Sequence, residues 1–386
     1  MDIGKAEGFE PPETSPYLTK LYPSCKEFTQ SKVALKLIRD DIKEYRVNEK
    51  AKRPVDPLLD EAIRRTAIAF RLPQREAIIH LNDVFGQDLP IWSSSPGIPW
   101  SQIGYKTKDD IRKDPEAVQR VRYFWHQVKA RKDISLPDCC AYMRFHLCKV
   151  GDTKVRAVWG YPATVTFAEA MFALPLIRAY QKRRTPLAYG YETGTGSMRK
   201  IFQQFQGSHF LGIDFSNFDK TLPAWLIKLA FDVMAINLDF TKYHDHGVPC
   251  TRSIIRVFET LEDYCINTKI RMCNALVKKV EIQDIVVFGD DSLMGTRSIL
   301  TPDDVQEVLR SLGMVVNVEK SGFSRSVTNL TFLGYGVNGG FPLKHHKRFV
   351  ASLVWPERND KCWDDVASRA LGIIYANLGV DDRIDL

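Results

Sequence analysis

Two short acidic stretches, GIDFSNFD at residues 212–219 and VFGDD at residues 287–291, decide how this sequence folds. Each begins with residues typical of a buried strand and ends in carboxylates. If the two strands are neighbours, Asp214 and Asp290 face each other and repel unless cations lie between them. Mg²⁺ suits such a place because it takes oxygen ligands, and two ions about 3.5–4 Å apart can assist phosphoryl transfer. Either stretch alone is typical of an acidic turn, whereas both in this order favour a metal site.

The second half of the chain alternates between strand and helix patterns. We predict a strand at Phe210–Ile213, a helix at Pro223–Leu238 and a hairpin over residues 285–295. A helix beginning at Thr301, which can cap it, and a strand at Met314–Val318 follow. This order of elements indicates a sheet with helices packed on one face, an α/β (α+β) fold.

Composition narrows the class of protein. The chain has 386 residues, 44% of them hydrophobic, which is enough for a sizeable core and excludes a largely disordered protein. No run approaches the roughly 18 apolar residues of a membrane helix, so we expect no membrane partner. The net charge of +7 concentrates in residues 101–156 and 177–200. A solvated helix face explains either run alone, but their concentration favours a channel for phosphates.

Five stretches of the chain resemble the RNA-dependent RNA polymerases of partitiviruses, most closely the plant cryptic-virus (deltapartitivirus) type. They occur in the family's order between about residues 150 and 345. The stretches are KVRAVWGYP at 154–162, GIDFSNFDKTLPAWLI at 212–227, VFGDDSL at 287–293, NVEKS at 317–321 and FLGY at 332–335.

The resemblance implies a right-hand polymerase with fingers, an antiparallel palm sheet with helices, and a thumb. An N-terminal arm and fingers would occupy residues 1–150, and fingers with a basic nucleotide-binding motif would occupy 151–205. The palm would span 206–345. A thumb shorter than the family's would occupy 346–386.

The resemblance also assigns roles to individual residues. Asp214 and Asp290 would bind metal and Asp291 would support them as a third metal-site carboxylate. The other residues would act on the incoming nucleotide, on its ribose or on the leaving pyrophosphate. Asp219 would sense the ribose hydroxyls, Lys320 would protonate the pyrophosphate, and Lys154 and Arg156 would grip the triphosphate, which suits their charge. The Phe332-Leu333-Gly334 turn would support the primer strand.

The activity that the resemblance implies is template-directed nucleotidyl transfer for transcription and replication of a double-stranded RNA genome. The expected cofactor is Mg²⁺, as two ions, with Mn²⁺ as an alternative. Expected partners are template and product RNA, nucleoside triphosphates and the capsid protein. The expected location is the virion in the host cytoplasm.

One family motif is missing from the sequence. The family carries a Ser-Gly, then a Thr, then an Asn between its two acidic motifs, but no Ser-Gly occurs between Asp219 and Asp290. The loop and most of its helix look excised between Asn274 and Ala275. This departure supports a second hypothesis, in which the chain is a catalytically impaired or dead polymerase relic that acts at most as an RNA-binding protein.

A third hypothesis is another two-metal enzyme, such as a nuclease or a reverse transcriptase. The glycine before Asp290 and the Ser216-Asn217 pair of the first motif are more typical of an RNA-templated RNA polymerase.

Overall fold

The computed structural model describes residues 20, 27–30, 51–144, 147–150, 156–183, 185–189, 191, 196–205, 207, 209–267, 282–288, 290–296, 299–310, 314–356, 360 and 362–385. Within them, no helix is long and apolar enough to cross a membrane.

The described strands and α-helices have the following bounds. The strands are β1 Phe28–Gln30, β2 Glu76–Ile78, β3 Cys140–Arg144, β4 Leu147–Lys149, β5 Arg156–Gly160, β6 His209–Asp214, β7 Leu238–Tyr243, β8 Ile282–Phe288, β9 Asp291–Thr296, β10 Gly322–Ser324, β11 Thr331–Phe332 and β12 Tyr335–Gly336. The helices are α1 Pro57–Ala69, α2 Leu81–Val84, α3 Lys108–Lys113, α4 Pro115–Lys129, α5 Ala163–Gln181, α6 Ser197–Gln204, α7 Phe218–Thr221, α8 Ala224–Ala235, α9 Thr251–Asn267, α10 Pro302–Arg310, α11 His346–Val354, α12 Trp363–Asn377 and α13 Asp382–Asp385.

The central sheet has four antiparallel strands in the order β10-β6-β9-β8. The predicted hairpin is present, because β8 runs into β9 through the turn that holds Asp290. The predicted strand before Asp214 is present as β6, and the predicted helix after it is present as α8. Both acidic stretches therefore lie at the same end of this sheet.

The side chains of β6 alternate between the two faces of the sheet, and apolar side chains are buried on both faces. Leu211 and Ile213 point to one face and pack in a core with α1, α8 and α10. Phe210 points to the other face, where it packs with α6 and with the segment from Val327 to Val337. Helices therefore lie on both faces, and not on one as the order of elements predicts, because β6 is apolar at successive positions and needs cover on each side.

The predicted strand at Met314–Val318 is wrong. Only Val316 forms a bridge there, to Phe215, and the next strand of the sheet is β10. The chain turns instead of continuing, since the amides of Lys320 and Ser321 both donate to the carbonyl of Asn317. The predicted helix from Thr301 is present as α10, with a reciprocal hydrogen bond between Thr301 and Asp304.

A second core surrounds helix α5 and combines residues of the segments predicted as fingers with residues of β7 and α9 from the segment predicted as palm. Helix α5 is apolar on nearly all sides and twelve of its residues are buried. The indole of Trp100 donates to the Thr164 hydroxyl at 2.8 Å, and the indole of Trp125 donates to the Thr164 carbonyl at 2.8 Å. These bonds fix the start of α5 directly after β5 and so hold the strand that carries Arg156.

The N-terminal segment connects distant parts of the molecule. Strand β1 pairs antiparallel with β4, and Glu27 beside it forms an ion pair with Lys347 of α11, with 2.6 Å between the charged atoms. Helices α11, α12 and α13 follow the sheet. The predicted domain boundaries at 150, 205 and 345 fall between elements and stay predictions.

Candidate active site

Asp214 and Asp291 are direct partners across the antiparallel pair β6 and β9. Paired residues of an antiparallel sheet point to the same face, with Cα atoms roughly 4.5–5.5 Å apart. Asp290 occupies the turn immediately before β9. The three predicted metal-site carboxylates thus meet at one sheet end, and the direct partner of Asp214 is Asp291, not Asp290 as the sequence predicts.

The backbone of Asp214 is held by the turn at residues 317–321. The Asp214 amide donates to the Ser321 hydroxyl at 3.0 Å, and the Asn317 amide donates to the Asp214 carbonyl at 2.7 Å. The Lys320 amide closes the turn onto Asn317. These bonds come from residues outside β6. The turn therefore fixes the position of the last residue of β6, which carries the Asp214 carboxylate.

Lys320 supplies positive charge to this site. Its ammonium Nζ lies 3.4 Å from Oδ2 of Asp214, and the side chain of Asp214 is 20% exposed. The Lys320 side chain itself is 68% exposed, so it can move without unfolding the turn. Lys320 therefore lies beside the acidic site, and its predicted role toward the pyrophosphate stays a prediction.

The surroundings of Asp291 shift the pKa of its carboxyl group. Burial, followed by the neighbouring charges of Asp290 and Asp214, raises its pKa to about 6, although Lys320 and a backbone hydrogen bond from Leu333 lower it. The site therefore has an excess of negative charge that one lysine does not neutralise.

The Phe332–Gly334 turn lies against this site. Leu333 and Gly334 both have positive φ, 52° and 76°, which turns the Leu333 amide away from the β11–β12 ladder. That amide donates to the Asp291 carboxylate. The sequence predicts the turn and its place in the family's order, but nothing in its composition predicts this contact, because the bond is made by backbone.

Asp219 lies on the short helix α7, one turn after β6, and its residue is exposed. Asn217 before it adopts a left-handed conformation, φ 50°, which bends the chain away from the strand. Phe218 is buried and anchors the helix in the same core as Phe215. Asp219 is thus presented outward near the end of the strand that carries Asp214.

The two predicted triphosphate-binding residues are placed only in part. Lys154 lies outside the described residues, and Arg156 is described as backbone in β5, opposite Arg144 of β3.

The backbone of Gly97 packs closely against the backbone just after the end of β5. A Cβ at Gly97, φ 66°, would lie 2.9 Å from the Tyr161 carbonyl oxygen, so only glycine fits there.

The donor set at the sheet end fits a divalent cation. Carboxylate oxygens are hard ligands of the kind that Mg²⁺ prefers, and the raised pKa of Asp291 reflects a negative field that a cation would relieve. In the described part of the chain, no three His, Cys, Asp or Glu side chains are already gathered in a metal-holding group. Because Lys320 is paired with Asp214, a metal ion at this site would compete with the lysine for that carboxylate.

The junction Asn274–Ala275, where the family's palm motif is missing, lies outside the described residues, as does Gly289. Helix α9 before the junction is described up to Asn267. Its buried face, which includes Val257, Leu261 and Tyr264, packs in the core around α5.

A palm-like antiparallel sheet with carboxylates from two of its strands at one end, backed by a lysine turn, defines the class of template-dependent nucleic-acid polymerases. The sequence of the chain specifies the family. Residues 8–281 match the model of the viral RNA-dependent RNA polymerase family, and the chain belongs to that family. The prediction of a partitivirus-type RNA-dependent RNA polymerase is therefore confirmed.

Two curated relatives support the family. The chain is 24% identical over 319 residues to an RNA-directed RNA polymerase of Atkinsonella hypoxylon virus (isolate 2H), covering 61% of this chain and 47% of the relative. It is 22% identical over 343 residues to one of Cryptosporidium parvum virus 1 (strain KSU-1), covering 74% of this chain and 62% of the relative. The chain thus spans less than two thirds of the length of either relative.

Two solved structures share the fold. The RNA-dependent RNA polymerase of a human picorbirnavirus aligns with a TM-score of 0.59 and 17% identity, covering 93% of this chain and 76% of that one. The RNA-dependent RNA polymerase of a Sicinivirus aligns with a TM-score of 0.64 and 13% identity, covering 98% of this chain and 94% of that one. The predicted α/β polymerase fold is confirmed, and the family generally uses divalent metal ions.

Proposed function

We propose that this chain catalyses template-directed RNA synthesis, the attack of an RNA 3′-hydroxyl on the α-phosphate of a nucleoside triphosphate. The observation that carries the proposal is the direct pairing of Asp214 with Asp291 across β6 and β9, with Asp290 in the adjoining turn. Carboxylates from two strands, fixed at one sheet end and only partly neutralised by Lys320, are what a phosphoryl-transfer site needs to hold cations.

Asp214 and Asp290 would hold Mg²⁺, with Asp291 beside them, and Mn²⁺ is the alternative ion. When bound, two ions would stabilise the charges on the attacking and leaving oxygens. Asp291 would act mainly through charge, because the Leu333 amide already holds its carboxylate.

Other residues would bind the nucleotide. Lys154 and Arg156 would grip the triphosphate, and Asp219 would sense the ribose hydroxyls. Lys320 would donate a proton to the leaving pyrophosphate, a role that its 3.4 Å approach to Asp214 supports.

The biological setting is part of the proposal. RNA and nucleoside triphosphates are the substrates that the family implies, and a double-stranded RNA genome is the proposed template. The capsid protein is the proposed partner, and the virion in the host cytoplasm is the proposed location. Co-expression with a capsid protein, followed by sedimentation of the particles, tests this setting. The chain is expected in the particle fraction, and its absence there would contradict it.

Primer extension tests the activity. The chain is incubated with Mg²⁺, an RNA template with annealed primer, and labelled ribonucleotides. We expect extended product from the wild-type chain, loss of product for Asp290→Ala, and unchanged product for Asp364→Asn, an exposed carboxylate in the first turn of α12. Extension that survives Asp290→Ala would contradict the proposed site.

The competing hypotheses predict different results in the same assay. A polymerase relic would bind RNA with a steep dependence on salt but incorporate no nucleotide, and the missing motif between Asp219 and Asp290 favours it. A nuclease would shorten the end-labelled primer, and a reverse transcriptase would incorporate deoxynucleotides.

A further inference from the structure

Lys108 is a buried cation in the part of the molecule that packs against the end of β5. It is the first residue of α3 and is only 6% exposed. Thr107 and Asp110 cap this helix with reciprocal hydrogen bonds, so the backbone position of Lys108 is fixed. A lysine is rarely buried this deeply unless its ammonium group has partners. The contacts of Lys108 therefore indicate what it does in this core.

Lys108 binds one short loop through three hydrogen bonds. This loop comprises residues 94–97, and we call it the serine loop. The Lys108 ammonium donates to the Ser94 hydroxyl at 3.0 Å and to the Ser95 carbonyl at 2.6 Å, and the Lys108 amide donates to the Ser94 carbonyl at 2.9 Å. A charged donor makes stronger hydrogen bonds than a neutral one. The conformation of the serine loop therefore depends on the charge of Lys108.

The serine loop in turn fixes the chain directly after β5. The Ala163 amide donates to the Pro96 carbonyl at 2.7 Å. The backbone of Gly97 approaches Tyr161 so closely that an added Cβ would lie 2.9 Å from the Tyr161 carbonyl oxygen. Because Tyr161 directly follows β5, a shift of the serine loop also shifts the strand that carries Arg156.

Glu169 of α5 brings a carboxylate into the same core. Burial raises the pKa of Glu169 to about 7, and the charge of Lys108 lowers it. Burial lowers the pKa of Lys108, and the charge of Glu169 raises it. Each of these two groups therefore favours the charged form of the other, in surroundings that favour the neutral forms of both.

Other titratable groups face Glu169 from the elements packed against it. They are the Tyr161 phenol after β5, and the Tyr264 phenol and Cys265 thiol of α9. Burial raises the pKa of all three, and the charge of Glu169 raises it as well, so all three are neutral when Glu169 titrates. Cys139 likewise raises the pKa of both tyrosines. Among the described groups that face Glu169, the cation is therefore Lys108.

We propose that Lys108 and Glu169 are positioning residues for the incoming nucleotide: ionised Glu169 stabilises the Lys108 ammonium, the ammonium fixes the serine loop, and the loop fixes the strand that carries Arg156. The proposal rests on the proposed RNA synthesis, in which Arg156 grips the triphosphate. When Glu169 gains a proton, the buried ammonium loses its counter-charge and the serine loop loses part of its restraint. The grip on the nucleotide therefore weakens at low pH.

The kinetics of single-nucleotide incorporation test Lys108. Lys108→Met removes the charge and keeps most of the side-chain length. We expect KM for the nucleotide to rise about tenfold and kcat to change less than about twofold, because the carboxylates of β6 and β9 are unchanged. A misfolded fraction would instead lower kcat at an unchanged KM.

The control for Lys108 is Lys113→Met. Lys113 lies on the same helix, its side chain is 71% exposed, and it also has a carboxylate partner, Asp109. Both kinetic constants should stay at their wild-type values in this variant. An unchanged KM in Lys108→Met, or an equal rise of KM in the control, would overturn the proposal.

The pH profile tests Glu169. Glu169→Gln imitates the protonated acid, so it should match the wild-type chain below the pKa of Glu169 and differ from it above that pKa. We expect its KM to exceed the wild-type KM about fivefold at pH 8.5 and less than about 1.5-fold at pH 6. Titration of the nucleotide and of the catalytic carboxylates affects both chains and cancels in the ratio of the two KM values.

The control for Glu169 is Glu262→Gln. Glu262 of α9 also has a raised pKa through burial and a lysine partner, Lys228, at 3.5 Å. The ratio of its KM to the wild-type KM should stay near one at both pH values. A KM ratio for Glu169→Gln that does not change with pH would mean that Glu169 acts without its charge, and would overturn the proposal.

Hydrogen–deuterium exchange tests the serine loop without catalysis. At pH 8 we expect about tenfold faster exchange in Lys108→Met and Glu169→Gln than in the wild-type chain, confined to peptides that cover residues 90–105 and 156–164. Peptides that cover β6 and β9 should exchange as in the wild-type chain. Equally faster exchange in all peptides would show a general loss of stability and contradict the local role of the pair.

The two proposals fail separately. Exchange requires no RNA synthesis, so a chain that makes no RNA can still show the expected local loosening, and then only the proposed activity is wrong. A chain that extends primers with the same KM in wild type, Lys108→Met and Glu169→Gln contradicts only this inference.

Discussion

Asp214 of β6 lies directly opposite Asp291 of β9, so two carboxylates that are distant in sequence are cross-strand neighbours. Like charges in such positions destabilise a sheet unless a proton or a cation intervenes. Lys320 and the Leu333 amide lie next to the two carboxylates and offset part of their repulsion. A local cost to stability placed at one end of the central sheet is typical of a functional site.

Stability should depend on pH through Asp291. Its pKa in the folded chain, about 6, lies above the usual value of 3.8, so protonation favours the fold. That contribution is fully present below about pH 4 and is lost as the pH rises through about 6. In thermal unfolding without metal, wild-type Tm should fall relative to Asp291→Asn between pH 5 and 7.5.

Mg²⁺ should reverse this loss. At pH 7.5 the ionised site gains a cation and Tm should rise, whereas at pH 5 the proton competes and the rise should be small. Asp364→Asn serves as the control with a normal response. Equal Mg²⁺ stabilisation at both pH values would show that the ion does not act at Asp291.

Lys320 should affect turnover more than nucleotide binding. Lys320→Met removes the cation beside Asp214 and keeps most of the side-chain length, and we expect roughly a hundredfold slower single-nucleotide incorporation. Lys320→Arg keeps the charge and should recover part of the loss. A lysine that only supported the fold would lower Tm without changing how the incorporation rate depends on pH.

Asn237 should be important for stability because it is buried and joins distant segments. It is 1% exposed, and its amide group accepts from the Leu72 amide at 2.7 Å and donates to the Phe70 carbonyl at 3.1 Å. Asn237→Ala leaves the Leu72 amide without its partner, while the Phe70 carbonyl keeps its hydrogen bond from the Tyr180 hydroxyl, so the change should cost about 1–3 kcal/mol. In denaturant unfolding, the exposed control Asn329→Ala should change stability by less than about 0.5 kcal/mol.

Gly97 lies in the loop that supports β5, and Gly339 is a control glycine with nearly the same φ angle. Their φ angles are 66° and 67°, but an added Cβ would approach the Tyr161 carbonyl oxygen to 2.9 Å at Gly97 and meet nothing within 4 Å at Gly339. Both alanine variants lose about 1–2 kcal/mol to backbone strain, and Gly97→Ala should lose about 1–3 kcal/mol more by overpacking. Equal losses would mean that the loop moves away freely.

Much of the site was predictable because its parts are local in sequence. The apolar run before Asp214, the hairpin around Asp290 and the cap of α10 each depend on a few consecutive residues, and each is present. The roles of Asp219, Lys154 and Arg156 stay predictions, as does the effect of the missing motif, since the junction Asn274–Ala275 lies outside the described residues.

The parts that were not predictable depend on contacts between distant segments. The strand expected at Met314–Val318 is replaced by a turn because Asp214, a hundred residues earlier, binds the Asn317 amide and the Ser321 hydroxyl. The Leu333 contact to Asp291 is made by a backbone amide. Because nearly every residue type has such an amide, the amino-acid sequence does not indicate which one makes the contact. Nothing in the sequence around Asn237 predicts that it is important, because its hydrogen-bond partners, Leu72 and Phe70, are distant in sequence.

The sequence by itself determined the family, the strand-end carboxylates and the order of the elements, because motifs and periodicity are properties of neighbouring residues. Only the tertiary structure decided which carboxylates are partners, which face of the sheet they share, and that Glu27 meets Lys347 across most of the chain. Register and long-range ion pairs follow from how strands and helices pack, and packing is settled by the whole chain at once.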